Sequence, residues 1–203
     1  SRAGRDALDE CYGALLAAGV PRLTMDFATA ELVKVAANSF LATKISFINA
    51  MSQACDATGA DVVELARALG FDERIGRLFL RAGIGFGGGC LPKDIRALRA
   101  RAEELDLREA FRFLAEVERI NDGQRARTVG MLEGLTGGLE GRKVAVLGAT
   151  FKPDTDDIRS SPALSIASAL VERGARVTIS DPAASAEAVA AEVEGAAFFA
   201  DAE

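Results

Sequence analysis

The chain has 203 residues, 49% of them hydrophobic and 27% charged, with a formal net charge of −6, enough apolar content for a packed core and too much for an intrinsically disordered chain. Nucleic acids and anionic membrane surfaces need a basic stripe to displace their counterions, so this charge balance argues against either partner, and any anionic ligand must meet locally clustered Lys and Arg. With no histidine and only three well-separated cysteines, Cys11, Cys55 and Cys90, a Cys/His zinc site and the Ser/His and Cys/His nucleophile pairs are excluded, and catalysis is left to Cys, Lys, Asp or Glu.

Ala7, Leu8, Cys11, Leu15 and Leu16 recur at near-helical spacing over residues 2–18, and Gly19-Val20-Pro21 stops them before an extended stretch from Arg22 to Met25. A helix and a strand alone at a terminus need a partner sheet, so the chain is expected to begin inside a larger protein. Asp26 fits the N-cap of one long helix, Ala28 to Thr58, which contains no Gly or Pro. About 30 residues at roughly 1.5 Å each make a rod of about 45 Å, long enough to bridge domains or subunits. Phe40, Phe47, Ile48 and Met51 on it read as packing or dimer surface, and Cys11 and Cys55 as core residues. Gly59 ends the rod, Asp61 with Glu64 resembles a capping box, and Gly70 closes a short second helix.

Five of the seven residues from Gly83 to Gly89 are glycine, and no regular element survives that density. Pro92 then fits the first turn of a helix running through Ile95, Leu98 and Ala102. A further amphipathic helix, Arg108 to Leu135, leads into a Gly-rich linker, Thr136 to Gly141. Lys143 to Leu147 is a short apolar strand, Ser161-Pro162 opens a helix ending at Gly174, and Arg176 to Ser180 is a second strand: a βαβ unit with a right-handed crossover, followed by another helix within Ala183 to Val193. Two strands are too few for a stable parallel sheet, so more chain is expected beyond Glu203. The fold class is mixed: an all-α central region built on one long helix, then a partial α/β Rossmann-like domain. The low, odd cysteine count and the lack of a leader or of an apolar run of about 18 residues point to a reducing cytoplasm.

Consecutive glycines let backbone approach a ligand and turn N–H groups towards phosphate or a developing oxyanion. Cys90 follows at once, at the start of a helix whose amides and dipole favour an ionised sulfur. Lys34 and Asn38 lie one turn apart on the long helix, where pattern alone allows a solvated stripe as readily as a paired functional site. Asp94 comes one turn after Cys90 and is either a first-turn acid favoured by the dipole or a group that handles a proton near the sulfur. Gly148-Ala-Thr-Phe-Lys-Pro offers one glycine where a dinucleotide loop needs three, so NAD is not expected in this βαβ unit by that device.

The segment GFGGGCLPKD, Gly85 to Asp94, resembles the active-site loop of the UDP-glucose/GDP-mannose dehydrogenase family. ELVKVAANSFLATKISFINA and FKPDTDDIRSSPAL resemble two more of its motifs, in the family's order. The resemblance implies an NAD-dependent, two-step oxidation of a nucleotide sugar's primary alcohol, in which the cysteine matching Cys90 forms a thiohemiacetal and then a thioester that water hydrolyses. It implies that Lys34 and Asn38 form an oxyanion site and that Asp94 orients water or takes a proton. Phe79, Arg74, Phe86, Gly87, Phe151 and Lys152 are implied as substrate contacts, Arg159 as a contact to NAD, and no metal. Residues 1–26 would be the tail of an N-terminal dinucleotide-binding domain, 27–135 a central helical domain forming a homodimer through the long helix 28–58, and 142–203 part of a UDP-sugar-binding domain. The cofactor domain would precede Ser1, so the chain alone is not expected to turn over. Gly89 stands where the family commonly has serine. The branch acting on UDP-glucose is the nearest match; GDP-mannose, UDP-N-acetylmannosamine and a non-catalytic binding or dimerisation module are the alternatives.

Overall fold

The computed structural model describes residues 2–200; Ser1 and residues 201–203, at the outer ends of the first and last expected domains, lie outside the described residues. The chain divides into two units, Ser1–Lys34 and Val35–Glu203.

The first unit holds α1 (Arg2–Cys11), α2 (Gly13–Ala17) and the opening turns of α3 (Phe27–Thr58). The single helix expected over residues 2–18 is broken at Tyr12, where φ −98° and ψ 13° bend the ladder, and Gly19 at φ 81° closes α2. Arg22 to Met25 does not form the expected strand: a strand exists through its ladder partners, and no strand among the described residues pairs with it. Cys11 is exposed rather than part of a core. Asp26 caps α3 as read, its carboxylate accepting the Thr29 N–H at 2.8 Å and the Thr29 hydroxyl at 2.9 Å.

In the second unit α3 continues to Thr58, followed by α4 (Val62–Gly70), α5 (Leu91–Glu104), α6 (Arg108–Phe111) and α7 (Phe113–Thr136). Asp61 caps α4, accepting from the Val63 and Glu64 amides. Gly70 ends α4 through space rather than through a left-handed turn: a Cβ there would stand 2.6 Å from Arg77 Cγ. Ala42 of α3 packs with Phe86, Ile95, Leu98, Leu114 and Val117 in a helical core. Ile48, read as packing or dimer surface, is fully buried, while Phe40 stays 65% exposed on the same helix. The helix expected over Arg108 to Leu135 breaks at Arg112, and Gly137, at φ 68°, terminates its longer part.

Beyond the linker come β1 (Lys143–Leu147), α8 (Pro162–Glu172), β2 (Arg176–Ser180), α9 (Ala186–Glu192) and β3 (Ala197–Phe199). The three strands form a parallel sheet in the order β1-β2-β3, with Val144 opposite Val177 and Ile179 opposite Phe198. β3 escaped the sequence reading because three residues are too short to show a period. Leu164, Ala167 and Leu170 of α8 pack on Val177 and Ile179 of β2 and on Val189 of α9. Val129 of α7 joins this second core although Val117 of the same helix lies in the first. One helix thereby ties the glycine loop's side of the unit to the sheet's side. No helix among the described residues is long and apolar enough to cross a membrane.

Candidate active site

The loop from Gly83 to Gly89 is pinned at three points. Gly83 N–H donates to Asn49 Oδ1 of α3 at 2.8 Å, Phe86 N–H to Asn121 Oδ1 of α7 at 2.6 Å, and Gly88 N–H to the Arg159 carbonyl at 3.0 Å. These three amides have protein acceptors and are not turned towards a ligand as expected of the glycine loop; those of Phe86 and Gly88 are buried and would otherwise lack a partner. The glycines are there for close approach. A Cβ at Gly87 would overlap the Ser160 carbonyl oxygen and stand 2.7 Å from Pro162 Cδ; at Gly88, already at φ 80°, it would meet the Phe151 ring at 2.6 Å. At Gly89 it would sit 3.1 Å from the Arg159 guanidinium carbon. Three successive glycines thus form a seam against the segment after β1.

Cys90 sits at the N-cap of α5, at φ −104° and ψ −63°, with its thiol exposed. Its carbonyl accepts the first helical hydrogen bond, from Asp94 N–H at 2.9 Å, and Pro92 occupies the first turn, where a missing N–H leaves no unpaired donor. The Asp94 side chain, one turn further, is buried. It accepts from Asn38 Nδ2 at 2.6 Å, and Lys93 Nζ lies 3.7 Å from its other oxygen. A buried carboxylate within a turn of an exposed thiol, its amide partner on another helix, is an arrangement able to hold water or a proton beside sulfur. Lys34 is one turn before Asn38 on α3.

The segment after β1 is held by charge. Asp181, buried at the end of β2, accepts the Ala149 N–H at 2.7 Å and the Thr150 N–H at 3.1 Å. Arg159 forks Asp157 through Nε to Oδ1 at 2.9 Å and Nη2 to Oδ2 at 2.7 Å. The side-chain bond from Arg159, followed by the Arg159 backbone N–H, brings the Asp157 carboxyl down to about 2. Arg159 is shifted up, first by its side-chain hydrogen bond to Asp157 and then by the charge of that carboxylate. Lys152 Nζ stands 5.4 Å from the centre of the Phe151 ring, and Phe151 N–H donates to the Asp157 carbonyl at 3.0 Å.

Cys90, Asp94, Asn38, Gly87, Phe151 and Arg159 are therefore linked through the loop and its seam. Phe86, implied as a substrate contact, is placed in the helical core. Its ring is 6% exposed inside the helical core, its N–H is bonded to Asn121, and its C=O accepts from Asn121 Nδ2 at 3.1 Å. Arg74 is clamped by Asp72, through Nε at 2.9 Å and Nη2 at 2.6 Å. Phe79 sits at φ 63°, a left-handed backbone that costs a bulky residue on the order of 1 kcal/mol and is often found where function demands it. Sequence reading missed Asn49, Asn121 and Asp181; the available signal was polar residues inside otherwise apolar faces, which do not announce what they bond.

Among the described residues no group of three or more Cys, Asp or Glu could hold a metal. The βαβ unit does not fit a dinucleotide: the single Gly148 follows β1, and Asp181, the acid at the end of β2, has its carboxylate filled by the amides of residues 149, 150, 183 and 184.

Fold and site together define a helical region bearing a loop cysteine, joined to a parallel α/β unit. Residues 28–123 match the UDP-glucose/GDP-mannose dehydrogenase family's central domain and residues 145–203 its UDP binding domain. The chain belongs to the UDP-glucose/GDP-mannose dehydrogenase family. It is 45% identical over 181 residues to the UDP-glucose 6-dehydrogenase TuaD of Bacillus subtilis (strain 168), covering 89% of this chain and 39% of that protein. It is 45% identical over 161 residues to the UDP-glucose 6-dehydrogenase of Gallus gallus, covering 79% of this chain and 33% of that one. The chain thus spans well under half the length of these curated relatives. Among solved structures, a UDP-glucose dehydrogenase from Pyrobaculum islandicum superposes with a TM-score of 0.89 at 40% identity, over 99% of this chain and 45% of that one. A UDP-D-ManNAc dehydrogenase from Pyrococcus horikoshii reaches 0.67 at 29% identity, over 84% and 42%.

Proposed function

We propose that this chain supplies the nucleophile loop and the nucleotide-sugar face of an NAD-dependent UDP-glucose 6-dehydrogenase, which converts UDP-glucose to UDP-glucuronate. The observation that carries the reading is Cys90, exposed at the N-cap of α5, one turn from the buried Asp94 and its hydrogen-bond partner Asn38. The Cys90 thiolate adds to the C6 aldehyde left by the first oxidation, and the amide of Asn38 with the ammonium of Lys34 stabilises the resulting oxyanion. The adduct retains an aldehyde that would otherwise escape or hydrate, and presents a carbinol whose loss of hydride gives a thioester. Asp94 then takes a proton from the water that releases the acid and regenerates the thiol. The two hydrides would go to two NAD molecules bound in turn, one hydride each, and Arg159 would face the bound cofactor from this chain.

Phe151, Lys152, Phe79 and Gly87 line the nucleotide-sugar side. Lys152 answers the anionic diphosphate, and Arg74 reaches a sugar site once released from Asp72. Phe86 is better read as support for the loop. Residues 1–26, 27–135 and 142–203 serve as cofactor-domain tail, central domain and UDP-sugar domain. The exposed Phe40 and Phe47 of α3 give residues 28–58 an apolar face for a homodimer. UDP-glucose is preferred over UDP-N-acetylmannosamine because identity is 45% to relatives named for the former and 29% to the solved structure named for the latter.

The test is stoichiometry and trapping in the full-length protein. Wild type is expected to form two NADH for each UDP-glucose, and Cys90→Ser to lose the second oxidation. Full two-step turnover by Cys90→Ser at the wild-type rate overturns the covalent route, and GDP-mannose outcompeting UDP-glucose overturns the substrate.

A further inference from the structure

Asn121 has no place in the chemistry just described, yet its side chain makes two hydrogen bonds to the loop that carries it. It lies on α7, 3% exposed. Its Oδ1 accepts the Phe86 N–H at 2.6 Å while its Nδ2 donates to the Phe86 carbonyl at 3.1 Å, so one amide grips both polar groups of one loop residue. Gly85, at φ 100°, is seated directly on that amide; a Cβ there would stand 2.7 Å from Asn121 Oδ1. One turn along α7, Arg125 Nη2 reaches the same carbonyl at 3.4 Å. Only a carboxamide offers a donor and an acceptor side by side at the spacing a peptide group presents: an aspartate lacks the donor, and an apolar residue lacks both and leaves buried groups unpaired.

The consequence reaches Cys90 by two routes. The ring of Phe86 is locked among Ile95 and Leu98, which belong to α5, the helix that Cys90 caps. On the other side the chain passes from Phe86 through Gly88, tied to the Arg159 carbonyl, to Cys90 four residues on. With backbone and ring of Phe86 both held, little freedom remains for the residue that delivers the sulfur.

We infer that Asn121 is a positioning residue for the Cys90 nucleophile, acting through the backbone of Phe86; the inference rests on the reading of Cys90 as the nucleophile. It touches neither substrate nor sulfur, and its effect is on where the sulfur stands.

The test uses the full-length enzyme carrying Asn121→Ala, Asn121→Asp or, as a control for lost packing on the same helix, Val129→Ala. Asn121→Ala is expected to lower kcat for UDP-glucose about 100-fold with KM changed less than about threefold, the effect of a reacting atom displaced by about 1 Å. Asn121→Asp keeps the acceptor for the Phe86 N–H and should fall between. Val129→Ala, with an equal or larger fall in Tm, should keep kcat within about twofold. A kcat for Asn121→Ala equal to that of Val129→Ala, or a loss confined to KM, overturns the inference. Hydrogen exchange at the Phe86 amide reads the clamp without turnover: protection should drop at least about tenfold in Asn121→Ala relative to α7 amides, and unchanged protection overturns the inference. If wild type fails to oxidise UDP-glucose, the proposed function falls by itself. Phe86 exchange, together with a Cys90 alkylation rate by iodoacetamide that shifts in Asn121→Ala and not in Val129→Ala, then still decides the role of Asn121.

Discussion

Two loops meet at the seam, and they are held down by side chains of different electrical character. The glycine loop is gripped by the neutral Asn121, which satisfies one N–H and one C=O. The segment after β1 is gripped by the Asp181 carboxylate, which accepts four amides, from Ala149, Thr150, Ala183 and Ala184. Burial alone would raise the Asp181 carboxyl, but the four N–H bonds outweigh it and bring the group down to about 2 from its ordinary 3.8. A loop that offers both a donor and an acceptor needs an amide, and one that offers only donors can use a charge. The first clamp is indifferent to acid, whereas the second is not.

The largest expected effect comes from breaking the seam itself. Gly87→Ala places a methyl on the Ser160 carbonyl, which is backbone and cannot step aside. The substitution is expected to lower stability by about 3 kcal/mol, read as a shift in denaturation midpoint at constant slope. Next is Asp181→Asn, which keeps one oxygen for four donors and should lower stability by about 2 kcal/mol at neutral pH. The same residue separates the two clamps by pH. A carboxyl depressed in the folded state stabilises the fold above the ordinary value of 3.8, and that contribution is lost as pH falls towards about 2. Amides of residues 149 and 150 should therefore lose exchange protection across that window while the Phe86 amide keeps its own, and Asp181→Asn should abolish the difference. The smallest effect belongs to the linker: Gly137→Ala meets no atom within 4 Å but must hold φ 68°, a strain of about 1 kcal/mol. If Gly137→Ala proves as damaging as Gly87→Ala, close approach is not what the loop glycines provide.

Much of the molecule was legible in the order of its residues. The long helix α3, the strands β1 and β2, the cap at Ser161 and the crowding of glycine before Cys90 follow from local rules: uninterrupted helix formers, a short apolar run between glycines, a hydroxyl before Pro162, and backbone freed from Cβ. Such signals are periodic or positional and need no partner. Asp26 and Asp61 as caps belong to the same class, because the amides they accept lie within three residues.

What stayed illegible depended on partners far along the chain. Tyr12 and Arg112 interrupt helices whose composition runs on smoothly, β3 gains its identity only from pairing with β2, and Arg22 to Met25 lacks a strand for want of such a partner. The place of Phe86 in the helical core likewise depends on residues far along the chain. By itself, then, the sequence determined which stretches could be rods, strands or turns, and that a cysteine would begin a helix after a run of glycine. Only the tertiary structure decided that those glycines close on residues 151–162 and that amides from α3 and α7 tie the loop down. The reason is physical: helix and cap energies are set by neighbours within a turn, while close approach and buried hydrogen bonds are set by whatever the folded chain brings alongside.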